Sequence, residues 1–233
     1  MSTLYVVGTP IGNLHDISAR ALDVLRNVDL ILCEDTRVTA RLLEHYQIKT
    51  PTLSYHQHSK LKKVENVIQF LKEGKDLALV SDAGTPSISD PGSKLIEKII
   101  EEKLTSVKIT SVPGPSALTT AASVSGFPMD KFLFLGFPPA KKKRKKFFEE
   151  AANSRYPVIF YESPYRIIKT LKELQEALIY SDRHKSATLV VCRELTKKFE
   201  AIYRGKVEEV IKKIERDKIK GEFVIVVSSK YEK

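Results

Sequence analysis

Three stretches of this sequence have the composition of a ligand loop: VGTPIGNL at 7–14, SDAGTPSISDPG at 81–92 and VPGPSAL at 112–118. Each combines glycine, which lets a main chain approach a ligand closely, with proline, which fixes the loop, and with N–H groups and small hydroxyls that can hydrogen-bond. None contains a lysine or arginine, although the chain has 39 of them in 233 residues. A nucleoside triphosphate site would want G-x-x-x-x-G-K-[ST], and a dinucleotide site G-x-G-x-x-G with an acidic residue about twenty positions on. GTPIGN fits neither. A cofactor with a cationic centre and no phosphate, such as S-adenosylmethionine, would tolerate Asp82 and Asp90 in the second loop. Taken singly, each of these aspartates reads first as the cap of a turn or helix.

CEDTR at 33–37 offers a second chemistry. Glu34 or Asp35 could receive the proton of an attacking hydroxyl, and Arg37 could hold a phosphate or orient a carboxylate. Asp35 or Thr36 is equally placed to cap a following helix. His56 and His58 in HQHS could act as base or ligand, but two histidines without further partners read as loop residues. Cys33 and Cys192 stand alone, with no CxxC or Cys/His spacing, so reduced thiols are expected and no metal site.

Loops of this kind need a scaffold, and the first half of the chain supplies one. Apolar runs at 3–8, 29–35, 52–56, 76–82 and 106–114 alternate with amphipathic stretches at 16–28, 36–46, 60–74 and 92–103. Repeated βα units of this kind predict a parallel sheet with helices on both faces and ligand loops at the carboxyl ends of the strands. The Pro, Gly and small-residue segment 111–128 marks a junction, giving two α/β domains, 1–126 and 127–233. The second should be mixed: strands at 131–137, 156–163, 186–195 and 221–229, helices at 165–178 and 206–217, and a hydrophobic segment, FEAIYRG, at 199–205.

Charge divides along the same line. Residues 1–126 hold 14 basic and 14 acidic side chains, and residues 127–233 hold 25 and 15. The whole excess of +10 therefore lies in the second half, which suggests that this half faces a polyanion. KKKRKK at 141–146, with Phe147 and Phe148 beside it, suits phosphate contact with RNA, against the plainer reading of a solvated charge run. No stretch is long and apolar enough for a membrane span, and the first residues lack a secretory signal, so a cytoplasmic protein is expected.

VGTPIGNLHDIS, CEDTRVTARLL, LVSDAGTPSISDPG, VPGPSALTTAASVSGFP, FLGFPP, FYESPYR and CRELTKKFEAIYRG occur in this order and span most of the chain. Together they resemble the branch of the tetrapyrrole methylase superfamily that methylates small-subunit ribosomal RNA. The resemblance implies two αβα domains with the cofactor in the cleft between them, and a homodimer. It also implies methyl transfer from S-adenosylmethionine to the ribose 2′-hydroxyl of a decoding-centre cytidine in 16S rRNA, within the small ribosomal subunit. Carried onto this chain, the cofactor positions are Gly8, Thr9 and Pro10, then Gly84, Thr85 and Ile88, then Ser116 and Ala117, with Tyr161, Glu222 and Phe223 from the second domain. Glu34, Asp35 and Arg37 are the catalytic candidates. Lys141, Lys142, Lys143, Arg144, Lys145, Lys146 and Arg166 are the RNA candidates. Two features depart from the branch. Many of its members continue into a helical extension past the point where this sequence ends in VVSSKYEK, and the basic run is denser here, which could compensate. Three rival readings are a tetrapyrrole methyltransferase, which would leave the basic half unexplained, a non-catalytic RNA-binding ribosome assembly factor, and a knotted RNA methyltransferase. The last would carry its cofactor loops towards the C-terminus rather than in the first half.

Overall fold

The computed structural model describes residues 1–56, 61–181 and 187–228. His58 lies outside the described residues. In chain order the elements are β1 (Ser2–Val7), α1 (Ala19–Asn27), β2 (Leu30–Cys33), α2 (Thr36–His45), β3 (Thr52–Ser54), α3 (Leu61–Lys72), β4 (Leu77–Leu79), α4 (Ser93–Glu101), β5 (Val107–Val112), α5 (Ala117–Ser125), β6 (Leu133–Phe134), α6 (Arg144–Asn153), β7 (Val158–Glu162), α7 (Ile167–Ile179), β8 (Leu189–Arg193), β9 (Ala201–Gly205), α8 (Val207–Glu215) and β10 (Phe223–Val227). They form two units, Met1–Ser116 and Ala117–Lys233. Among the described residues no helix is long and apolar enough to cross a membrane.

The first unit is the expected parallel sheet, in the order β3-β2-β4-β1-β5. Its inner strands β2 and β4 are apolar on both faces because both faces are covered. Leu4, Leu32, Leu77 and Leu79 pack with Val67, Ile68 and Leu71 of α3 and Leu95 and Ile99 of α4. On the other face Val7, Ile31, Cys33 and Ala78 pack with Ala21 and Leu25 of α1 and Leu43 of α2. Helix starts are fixed locally: the Ser18 hydroxyl accepts from the Ala21 N–H, and the Asp35 carboxylate accepts from the Arg37 N–H.

The second unit has a mixed sheet, β6-β7-β10-β8-β9, in which only β6 and β7 run parallel. One face meets α6, α7 and α8 through Phe147, Phe148, Leu171, Leu174, Val210 and Ile214. Against the other lies α5, packed on β10 and β7.

Four elements differ from the sequence expectation: α6, where only a basic run was expected, and three more. The segment 117–125, read as junction, is α5, so the unit boundary falls at Ser116 rather than at 126. It buries Ala121, Ala122 and Ser125, and its last turn accepts a hydrogen bond from Arg204 at the Val124 carbonyl. No charged residue lies between 117 and 126, so the division of charge is unchanged. FEAIYRG contains β9, the edge strand paired with β8. The strand expected over 131–137 is only two residues long, because Gly136 turns the chain at φ +65 and leaves Phe137 52% exposed.

Candidate functional site

Sheet order decides which loops meet. β1 lies between β4 and β5, so the loops leaving these three strands emerge side by side at the carboxyl edge of the first sheet. The contact is main chain to main chain. Thr9 N donates to the Gly84 carbonyl at 2.8 Å, and Gly84 N returns a bond to the Thr9 carbonyl at 3.1 Å. Gly8 N donates to the Val112 carbonyl at 3.0 Å. A Cβ on Gly8 would sit 2.8 Å from the Gly114 Cα, and one on Gly114 would sit 2.6 Å from the Gly8 carbonyl oxygen. No side chain fits at either position unless the backbone moves. At Gly84, φ +80 disfavours any other residue, and a Cβ would face Ile11 Cγ2 at 3.4 Å and the Pro115 carbonyl at 3.7 Å. Side-chain hydroxyls complete the junction: Thr9 Oγ1 donates to the Ser81 carbonyl at 3.3 Å, and Thr85 Oγ1 to the Pro115 carbonyl at 3.4 Å.

The structure therefore brings together Gly8, Thr9, Pro10, Gly84 and Thr85 with the stretch leading to Ser116, and Ala117 opens α5. Ile88 lies farther along the second loop and is 41% exposed. That loop is shaped by Ser87 and Ser89, both at positive φ, and by Gly92 at φ +139, where a Cβ would meet Ser87 Oγ at 2.5 Å. The Ser87 hydroxyl is buried with no hydrogen-bond partner.

The neighbouring strand β2 carries the carboxylates. Asp82 does not cap its own turn; its Oδ1 accepts from the Asp35 N–H at 2.9 Å and ties the β4 loop to the β2 loop. Asp35 is committed twice, as N-cap of α2 and as partner of Arg37, whose Nη2 lies 2.6 Å from Asp35 Oδ2. The hydrogen bonds from Arg37 hold the Asp35 carboxyl well below the usual carboxylate range, which makes it a poor proton acceptor. Glu34 is half-buried and has the opposite tendency. Burial and then the negative charge of Asp82 raise its pKa, against a smaller lowering by His56. His56 Nε2 lies 2.8 Å from Ser54 Oγ, and Ser54 Oγ donates to the Glu34 carbonyl at 3.4 Å. Of the two carboxylates among the catalytic candidates, Glu34 is the one whose pKa is raised.

The RNA candidates of the second unit separate into two groups. Lys141, Lys142, Lys143, Lys145 and Lys146 are exposed, whereas Arg144 is only 6% exposed. Arg144 Nε donates to Glu173 at 2.9 Å, Nη2 to Thr170 Oγ1 at 2.9 Å and Nη1 to the Pro139 carbonyl at 2.8 Å. Phe147 and Phe148 are core residues in ring contact with Phe160, not surface aromatics. Arg166 also points inward: it pairs with the fully buried Glu162 carboxylate at 2.8 Å and donates to the Pro138 carbonyl at 3.2 Å. Thr170 Oγ1 donates to Glu162 at 2.6 Å and joins the two arginines into one network. The Arg144 guanidinium is thus satisfied internally, whereas the Arg166 side chain, held by Glu162 and the Pro138 carbonyl, stays 29% exposed. The missed signal was present in the sequence: Arg144, Phe147, Phe148, Ala151 and Ala152 follow the spacing of one buried helix face.

Tyr161 is half-buried on β7, with ring contacts to Phe134 and Phe137 at 5.0 and 5.3 Å. Glu222 pairs with Lys197 at 2.8 Å, and Lys197 with Glu194 at 2.9 Å. Phe223 is buried in the core and begins the central strand β10, paired with Glu162 of β7 and Arg193 of β8. Cys33 and Cys192 are buried free thiols; burial raises the pKa of both, that of Cys192 to about 11.

The model of the Tetrapyrrole (Corrin/Porphyrin) Methylases matches residues 3–211. A ribosomal RNA small subunit methyltransferase I of Thermotoga maritima is 46% identical over 230 residues, which is 99% of this chain and 100% of the relative. A protein of the same name from Bacillus subtilis is 44% identical over 228 residues, or 97% of this chain and 75% of that one. Among solved structures, a cobalt precorrin-4 methyltransferase of cobalamin biosynthesis aligns with a TM-score of 0.68 at 18% identity, covering 97% of this chain and 94% of its own. The uroporphyrin-III-C-methyltransferase of Thermus thermophilus aligns at 0.64 and 17%, with the same coverage. The fold is that of the tetrapyrrole methylases, and by sequence the chain belongs to that family and, within it, to the ribosomal RNA small subunit methyltransferase I group.

Proposed function

We propose that this chain transfers a methyl group from S-adenosylmethionine to the ribose 2′-hydroxyl of a decoding-centre cytidine in 16S rRNA, acting on the small ribosomal subunit. The observation that carries the reading is the three-loop junction in a chain of this family: main-chain groups and small hydroxyls crossing at Gly8, Gly84 and Gly114, with no cationic side chain in the loops. That donor set fits a nucleoside with a cationic centre and lacks the lysine that a nucleoside triphosphate loop supplies. The proposed holding groups are Gly8 to Pro10, Gly84 and Thr85 with Ile88, and Ser116 with Ala117. In the second unit they are Tyr161 and the main chain at Glu222 and Phe223. S-adenosylmethionine supplies a methyl group on a sulfonium whose departure leaves a neutral thioether.

The residues of the chain do the rest. A ribose hydroxyl is a weak nucleophile at neutral pH, and fixed orientation by rigid loops lowers such barriers by about 7–11 kcal/mol in favourable cases. Glu34 takes the proton from the 2′-oxygen, which contributes a factor of roughly 10² to 10⁴. Asp35 and Arg37 hold the start of α2 in place beside it. The five exposed lysines of 141–146 engage phosphates around the target, and the basic second unit reads RNA shape and backbone. The protein works in the cytoplasm as a homodimer. A tetrapyrrole substrate would leave the basic unit without a role.

The test is tritium transfer from labelled S-adenosylmethionine to small ribosomal subunits that lack the modification, followed by nuclease mapping. Label in a 2′-O-methylcytidine of the decoding centre is the expected result. Cofactor binding with no label in subunits would overturn the reading.

A further inference from the structure

We propose that Tyr165 is a stacking platform for an unpaired nucleobase of the RNA substrate, a role that rests on the RNA methyltransferase reading above. Tyr165 leaves 96% of its surface to solvent, level with Met1 as the most exposed large hydrophobic residue among the described residues. Its backbone is nevertheless fixed. The next residue, Arg166, donates its N–H to the Ser163 carbonyl at 3.2 Å and accepts from the Thr170 N–H at 2.8 Å, while its guanidinium is locked on Glu162 and Pro138. An aromatic ring held out on a rigid helix start has lost little freedom by the time a partner arrives.

The same fasteners place the ring beside the cationic loop. Arg166 holds the Pro138 carbonyl and Arg144 holds the Pro139 carbonyl, and Arg144 also bonds Thr170 and Glu173 of α7. Lys141, Lys142 and Lys143 span the gap between Pro139 and Arg144, so both ends of this exposed stretch are pinned to the helix that Tyr165 introduces. Lysines beside an exposed aromatic are the two parts of a single-strand nucleic-acid surface, in which charge tracks phosphates and the ring stacks on a base. A second copy of this chain would bring the same lysines against these, which repels. The two parts differ in salt response, because only the charged contacts release counterions.

The experiment compares the wild type with Tyr165→Ala and Tyr165→Phe in methyl transfer to unmodified small ribosomal subunits, varying subunit concentration at several salt concentrations. Tyr165→Ala should raise the KM for subunits on the order of tenfold, with kcat and the Kd for radiolabelled S-adenosylmethionine changed less than about twofold, the KM rise being the scale of one lost base stack. The salt exponent of KM should stay at the wild-type value, and Tyr165→Phe should match the wild type. A wild-type KM in Tyr165→Ala overturns the proposal, as does an equal loss in Tyr165→Phe. A shift of Tyr165→Ala to a smaller species in sedimentation also overturns it and makes the ring a contact between copies. Filter retention of labelled subunits reads the same contrast without turnover. A wild type that binds subunits and does not methylate them counts against the proposed reaction and not against the platform.

Discussion

The two units build loops beyond the ends of their sheets from opposite materials. In the first, three strands deliver glycine-bearing loops whose main chains touch directly, and the loops carry no basic residue. In the second, the loop at 138–146 is shaped by side-chain charges, with Arg144 and Arg166 turned inward as struts and the lysines left outside. The contrast teaches what each half can tolerate. A junction of backbones leaves no space for an extra atom, whereas a lysine surface on an ionic foundation tolerates the loss of any one lysine and draws only stability from its buried struts.

The largest effect is expected at the backbone junction. Gly8→Ala places its Cβ against the Gly114 main chain, and displacement of the loops should cost on the order of 10²-fold or more in methyl transfer. Equilibrium dialysis with labelled S-adenosylmethionine should show cofactor binding lost with it, and Gly84→Val should behave alike. Full activity in either variant would remove the junction from the site. Next comes Glu34→Gln, with a loss of about 10²-fold if Glu34 is the proton acceptor. The sign of its pH dependence follows from burial. Because the Glu34 pKa is raised, acidification protonates it early, and the acid limb of kcat should lie above the ordinary glutamate value of 4.5. Glu34→Gln should flatten that limb. Asp35→Asn keeps an N-cap and should retain activity within a fewfold; a larger loss would return Asp35 to the chemistry.

In the second unit, changing all five exposed lysines of 141–146 to glutamine should lower the salt exponent of subunit binding by about 4, with each single change costing only its share. Methylation that is unaffected at any salt concentration would refute the lysine surface. The smallest effect on catalysis is expected at the strut. Arg144→Ala breaks a pair whose partner Glu173 is partly exposed, and solvent screening keeps the loss to about 2–3 kcal/mol of stability in denaturant unfolding. Cofactor binding should be unchanged in that variant.

The sheet of the first unit was readable because each strand is a short apolar run followed by turn residues, and because βα repeats admit few topologies. Its loops were readable as ligand loops by composition. Their contact was not, since it depends on β1 lying between β4 and β5, an order that no local pattern encodes. α5 escaped notice because alanine, serine and threonine give it almost no polar face, the composition that close packing against β10 and β7 demands. β9 reads only as a hydrophobic segment because Ala201 to Gly205 is a half-exposed edge strand that alternates weakly. The charge run misled for a different reason. Net charge cannot say which member of KKKRKK faces inward, although the spacing from Arg144 to Phe147, Phe148 and Ala151 can.

The positions of β1 and β10 also set a timetable for synthesis. β1 is the first strand made and needs β4 and β5 on either side, so its apolar LYVV waits until residue 112 has been added. At about 5–20 residues per second, that delay is on the order of 5–20 s. β10 is the reverse case, the last strand of its sheet to be made and the one that separates β7 from β8. The first unit can close while the chain is still growing. In the second, β7 and β8 stay apart until Phe223 to Val227 is available to join them, so a nascent chain stalled before that point exposes two unfinished sheet edges and is a target for chaperones or for aggregation.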